Sequence, residues 1–170
     1  MDPSTLDAIP PGTSVFIDST IFVYSFAGES AHCLDFLERC ERRDLDGITS
    51  VVVLVEVAHR LMMLEAVLKG LVARGNVARK LRERPDIVTM LSAYREHLEQ
   101  IPAMNIEVLA LEPSDVARAS ELRTRYGLLV NDSLILDAAL RRGVDVLATA
   151  DRDFERVTEL RLFRPGDLDA

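Results

Sequence analysis

The chain has 170 residues, a hydrophobic fraction of 48% and a formal net charge of −8. Its length suits one compact domain with a real core, and the absence of Trp disfavours an aromatic-rich β-sandwich, leaving an α/β or all-α protein. The acidic balance argues against a protein that coats nucleic acid by neutralising phosphates, although an acidic enzyme can still hold RNA through locally clustered basic residues or bridging metal ions.

Residues 1–13 read as a loose lead-in. Ser14-Val15-Phe16-Ile17-Asp18 follows, an apolar run that ends in a carboxylate and reads as a buried strand. Residues 31–43 form a helical pattern, with Cys33, Phe36, Leu37 and Cys40 on one stripe and charges opposite. Asp46-Gly47 suggests a turn, and Ile48-Thr49-Ser50 a very short strand. Residues 51–68 open on Val51-Val52-Val53-Leu54-Val55, which favours a strand by propensity. The whole segment is too long for one strand, so a helix is expected after Ser50.

Residues 69–84 form a basic connector with a short helix after Asn76. Pro85-Asp86 opens a helix expected to run to residue 100. Residues 105–111 read as a strand, and residues 113–126 as a helix closed by Gly127. Residues 131–142 read as a helix stopped by Gly143, followed by a strand at residues 145–149. A last short strand is expected at residues 160–163, before Pro165-Gly166. Strands alternating with helices predict a mainly parallel sheet of four to five strands with helices on both faces. Ligands of such sheets sit beyond the carboxyl ends of the strands, which places Asp18 and Asp151 at one crevice.

No apolar run reaches the ~18 residues needed to span a bilayer. The start lacks the basic residues and apolar stretch of a signal peptide, so the expected location is the cytoplasm. Cys33 and Cys40 have neither zinc nor disulfide spacing and read as core or semi-exposed thiols. His32, His59 and His97 sit apart. There is no Gly-rich nucleotide loop.

The chemistry rests on acids. Asp18 either caps a helix opening at Ser19-Thr20-Ile21 or serves a site, and one Asp can do both. Glu56 lies in the apolar run 51–58, where it needs an ion-pair partner, an exposed position or a site. Asn131 or Asp132 is a good helix N-cap, yet Asp132 shares a face with Ile135, Leu136 and Ala139. Asp151 and Asp153 flank Arg152 after a strand and suit a metal edge or a cap. Four carboxylates reaching one crevice repel each other, and a hard divalent cation resolves the repulsion.

The ordered set Phe16-Ile17-Asp18-Ser19-Thr20, Ser50 with Glu56, Asn131-Asp132 and Leu147-Ala148-Thr149-Ala150-Asp151-Arg152-Asp153-Phe154 resembles the PIN-domain family, and within it the VapC-type ribonuclease toxins. The resemblance implies a three-layer α/β/α sandwich. It implies that Asp18, Glu56, Asp132 and Asp151 ligate Mg²⁺ or Mn²⁺, with Asp153 as an outer catalytic helper and Thr20 and Thr149 orienting the carboxylates. It also implies endonucleolytic cleavage of RNA by metal-activated water, a homodimer, and a partner antitoxin that enters the acidic groove.

The lead-in and the long middle section, residues 65–101, depart from compact members of that family. Arg79, Lys80 and Arg82 in this section either guide the RNA backbone or form a solvated helical face. Two rival readings stand beside the nuclease. One is a catalytically silent PIN-like module that binds RNA or protein. The other is a haloacid-dehalogenase-type phosphatase, which needs a second Asp where Thr20 stands.

Overall fold

Short apolar runs make the strands: β1 (Ser14–Ile17), β2 (Asp46–Ser50), β3 (Glu107–Leu109), β4 (Val146–Ala148) and β5 (Arg161–Phe163). The computed structural model describes residues 4–168. All strand pairings are parallel, in the order β3-β2-β1-β4-β5. Between them run α1 (Ser19–Phe26), α2 (Ala31–Glu41), α3 (Val51–Leu68), α4 (Val77–Glu83), α5 (Pro85–Val88), α6 (Ala93–Ala103), α7 (Pro113–Tyr126) and α8 (Val130–Arg142). The result is the expected α/β/α sandwich around a parallel sheet. From β1 the chain adds strands first on one side, then crosses to the other, so β1 and β4 meet at the switch point where such sheets bind ligands.

Phe16, Ile17, Phe22, Phe36, Leu147 and Phe154 are among the fully buried side chains of the main core. The helix at α3 overrides the strand propensity of its opening valines. At helical spacing, Val53, Val57 and Leu61 fall on one buried face. A second apolar cluster of Ala66, Leu81, Ile87 and Leu91 supports the middle section. Among the described residues no helix is long and apolar enough to cross a membrane.

Several local expectations are corrected. The part of the lead-in within the described residues is not loose: Leu6 and Ile9 are buried, and the Arg39 guanidinium donates to the carbonyls of Leu6 (3.2 Å) and Ile9 (2.6 Å). Residues 1–3 of that lead-in lie outside the described residues. Asp46-Gly47 is not a turn but the start of β2, paired with Ser14 and Val15. A Cβ at Gly47 would meet the side chains of Ile106, Cys40 and Ile17 at 3.0–3.2 Å, so a larger residue here makes those core side chains give way.

The helix expected over residues 85–100 is two helices broken at residues 89–92. The break has a tertiary cause. Glu65 of α3, 7% exposed, accepts from the amides of Ser92 (3.0 Å) and Tyr94 (3.3 Å) and from Lys69 Nζ (2.6 Å). The Ser92 side chain makes no cap bond, so a carboxylate from another helix satisfies the free amides that begin α6. Burial pushes the Cys33 and Cys40 thiols up to about 11 and about 12, which marks them as inert core groups.

Candidate active site

Asp18 follows β1 directly and caps α1, as one of the two readings of it expects. Its side chain is buried, and its Oδ2 accepts from the Thr20 amide (3.3 Å), the Thr20 hydroxyl (2.7 Å) and the Thr149 hydroxyl (2.8 Å). Each hydroxyl is itself held from the β4 side. Thr20 Oγ1 accepts from the Ala150 amide at 2.9 Å, and Thr149 Oγ1 accepts from the Asp151 amide at 2.9 Å. Two threonines thus lock one oxygen of Asp18 and tie β1 to the loop after β4. Asp18 Oδ1 receives no donor among the described residues.

Asp151 opens a short 3-10 turn, residues 152–156, and its Oδ1 accepts from the Asp153 amide at 2.8 Å. Asp153 pairs with Arg156, whose guanidinium also donates to the Gly127 carbonyl at 2.8 Å. Glu56 lies in the second turn of α3, partly exposed, with Arg60 one turn on at 3.8 Å. Arg60 also lines an open groove of about 550 Å³ together with Tyr24, Met63, Leu64, Val67 and Arg74.

Asp132 departs from the cap expectation. The residue that caps α8 is Leu129, which offers no side-chain bond, so neither Asn131 nor Asp132 serves as N-cap. Asp132 stands in the first turn, partly buried, with no hydrogen bond or ion pair to another described residue. Burial, then the negative charges of Asp151, Asp18, Glu56 and Asp153, push its carboxyl up to about 6. Those four are the other acids that the sequence singles out, so the fold brings each of them within the field of Asp132. Among the described residues, however, no three His, Cys, Asp or Glu side chains gather closely enough to form a ready-made metal site.

Arg79, Lys80 and Arg82 lie on α4. Lys80 is engaged by the chain itself, donating to the carbonyls of Ala73 (2.9 Å) and Arg74 (3.2 Å). Arg79 is exposed beside Glu83.

Sequence reasoning missed Arg156, although its spacing from Asp153 in a short turn could have suggested the pair. It also missed the buried acids Asp115 and Asp137. Arg118 and Arg141 each bridge both of them at 2.5–3.1 Å, joining α7 to α8.

The PIN domain family model matches residues 15–160 of the chain. Among solved structures the chain is similar to one in the crystal structure of VapBC2 from Rickettsia felis bound to a DNA fragment from their promoter. The TM-score is 0.57 at 18% identity, covering 89% of this chain and 98% of that one. Likeness at that identity speaks for the fold. No curated protein sequence matches the chain.

Proposed function

Because the chain belongs to the PIN-domain family, we propose that it is a metal-dependent endoribonuclease and the toxin of a toxin–antitoxin pair. The observation that carries this reading is the charge-crowded crevice: Asp132 is pushed up by burial and four neighbouring carboxylates, and Asp18, Asp132 and Asp151 have no ion-pair partner among the described residues. Their oxygens are the hard donors that Mg²⁺ or Mn²⁺ prefers, so the residues fit such an ion in chemistry, with side-chain closure still required.

Asp18, Glu56, Asp132 and Asp151 would hold the ion, which when bound supplies an activated water and neutralises charge at the phosphate. The chain's own residues prepare the site. Thr20 and Thr149 hold one Asp18 oxygen and leave the other free to turn to a ligand. Asp153 adds negative charge and shapes the loop through Arg156. The exposed Arg79 and Arg82 would attract the RNA backbone. Replacing Arg79, Lys80 and Arg82 with Ala should weaken RNA binding and flatten its salt dependence. Unchanged binding sinks that part of the reading.

The similar chain comes from a VapBC2 assembly, which supports an antitoxin partner for this one. The open groove lined by Arg60, Arg74, Tyr24 and Met63 offers a partner segment a seat. Exposed Val51, Val55, Leu129 and Val130 at the starts of α3 and α8 support a homodimer.

The test is cleavage of a mixed RNA pool with Mg²⁺ or Mn²⁺ by wild type and Asp18→Asn, with EDTA controls. Cutting that needs metal and is lost in the variant supports the nuclease and its site. Equal cutting by both refutes the site. The same acids would also suit a silent binding module that holds a cation or RNA without turnover. RNA binding without cutting under any metal would establish that instead.

A further inference from the structure

We propose that Arg156 is a positioning residue for Asp132, clasping Asp153 and the Gly127 carbonyl together so that the first turn of α8 is held over the crevice. This inference rests on the proposed role of Asp132 in the site.

Gly127, Leu128 and Leu129 are all that separate α7 from α8. Gly127 sits at φ +65, a left-handed backbone position that favours glycine. Leu129 gives α8 no cap and is 73% exposed. The first turn of α8 therefore lacks the side-chain cap that normally helps to fix a helix start, and tertiary contacts take over that part. Leu128 is buried and anchors one side. Arg123 donates to the Ser133 hydroxyl at 3.0 Å, and Ser133 donates to the Val130 carbonyl at 2.7 Å, fastening the turn from α7.

Arg156 is what ties this turn to the other acids. Polar contacts run without a gap from Asp18 to Thr149, to Asp151 and on to Asp153. Arg156 pairs with Asp153 and donates to Gly127 O at 2.8 Å. One guanidinium thus spans the loop carrying Asp151 and the loop leading to Asp132, which is the planar two-point grip that Arg provides and Lys does not. Asp153 then acts through Arg156 rather than by touching an ion. Arg156 is itself 47% exposed at its side chain, so its removal leaves the core and the Arg123 fastening in place.

The test uses the full-length chain and two readouts: amide hydrogen exchange of the metal-free protein and Mn²⁺ titration. Arg156→Ala should speed exchange across residues 128–134 roughly tenfold while leaving residues 146–148 unchanged. It should weaken Mn²⁺ binding by roughly tenfold or more, the loss typical when a group orienting a metal ligand is removed. Arg156→Lys, which keeps the pair with Asp153 but cannot grip both partners, should lose less. Asp153→Asn should match Arg156→Ala, and the double variant should be no worse than either, because both break the same clasp.

Unchanged exchange at residues 128–134 overturns the proposal, as do additive losses of the two variants in Mn²⁺ affinity, which would make Asp153 a ligand in its own right. If the wild type itself fails to bind Mn²⁺, the proposed nuclease site is refuted, and the clasp stands or falls on the exchange data alone.

Discussion

Replacing Asp132 with Asn removes a charge that the folded protein holds at a disadvantage. Burial, and after it the charges of Asp151, Asp18, Glu56 and Asp153, move its carboxyl from 3.8 to about 6. At ~1.36 kcal/mol per unit the shift is worth about 3 kcal/mol. Asp132 is partly open to solvent, so screening reduces this to about 1.5 kcal/mol. The sign follows from proton binding. Between these two values the folded state holds more protons than the unfolded state, so stability falls as pH rises through that window, and the full penalty stands above it.

In EDTA at neutral pH, Asp132→Asn should therefore be more stable than wild type by about 1.5 kcal/mol, a gain that vanishes toward pH 4. With a urea slope of ~2 kcal/mol/M the midpoint moves up by about 0.7 M, readable by circular dichroism in a chain without Trp. A variant that is less stable at neutral pH, or one equally stabilised at pH 4, refutes the reasoning. Adding Mg²⁺ to about a hundred times its Kd should stabilise wild type by about 2.7 kcal/mol and the variant far less, so the ranking reverses.

Glu65→Ala should lower stability by about 2 kcal/mol in chemical denaturation, because it strands the Ser92 and Tyr94 amides. Burial alone would raise the Glu65 carboxyl, but Lys69 and the amides of residues 92–94 outweigh it and hold it at about 2. Its contribution is thus complete above the ordinary value of 4.5 and fades as pH falls toward 2, a trend the variant should lack. Asp137→Ala removes one of the two buried carboxylates that Arg118 and Arg141 share, leaving Asp115 alone with both, and should cost about 2 kcal/mol in the same assay. Gly47→Ala forces a methyl into contacts of 3.0–3.2 Å with Ile106, Cys40 and Ile17; a loss of about 1–3 kcal/mol in urea melts is expected.

The parallel sheet and the acids were legible because each rests on a local pattern. Asp18 and Asp151 each follow an apolar run, and the length of residues 51–68 decides for helix over the strand propensity of the opening valines. What local pattern could not reveal depends on partners distant in sequence. The break in the helix expected over residues 85–100 depends on Glu65, which lies 27 positions before Ser92. The ordered lead-in depends on Arg39 reaching the Leu6 and Ile9 carbonyls. α1 carries Ile21-Phe22-Val23, all buried, so only the Asp18 cap, and no polar face, pointed to a helix there. The Asp115–Arg118–Asp137–Arg141 network reads in sequence as ordinary surface charge on two helices, because only packing of α7 on α8 reveals the sharing.

On the proposed reading, the sheet order also accounts for how an acidic protein would hold RNA. β2, β1 and β4 are adjacent and parallel, and chain leaving their carboxyl ends supplies Glu56, Asp18 and Asp151 on one side, with α8 adding Asp132. Charge convergence is built into the topology, so without a cation the crevice repels phosphate. On the proposed reading, RNA affinity is then conditional on a divalent cation, unlike that of a basic protein whose affinity only falls as salt is added. Anisotropy of a labelled RNA should rise as Ca²⁺, chosen as a hard cation to limit turnover, is titrated into EDTA-treated protein at fixed ionic strength. Asp18→Asn should blunt that rise. Tight binding in EDTA that Ca²⁺ does not improve would mean that cations elsewhere, such as Arg79 and Arg82, carry the RNA and that the acids play no part in holding it.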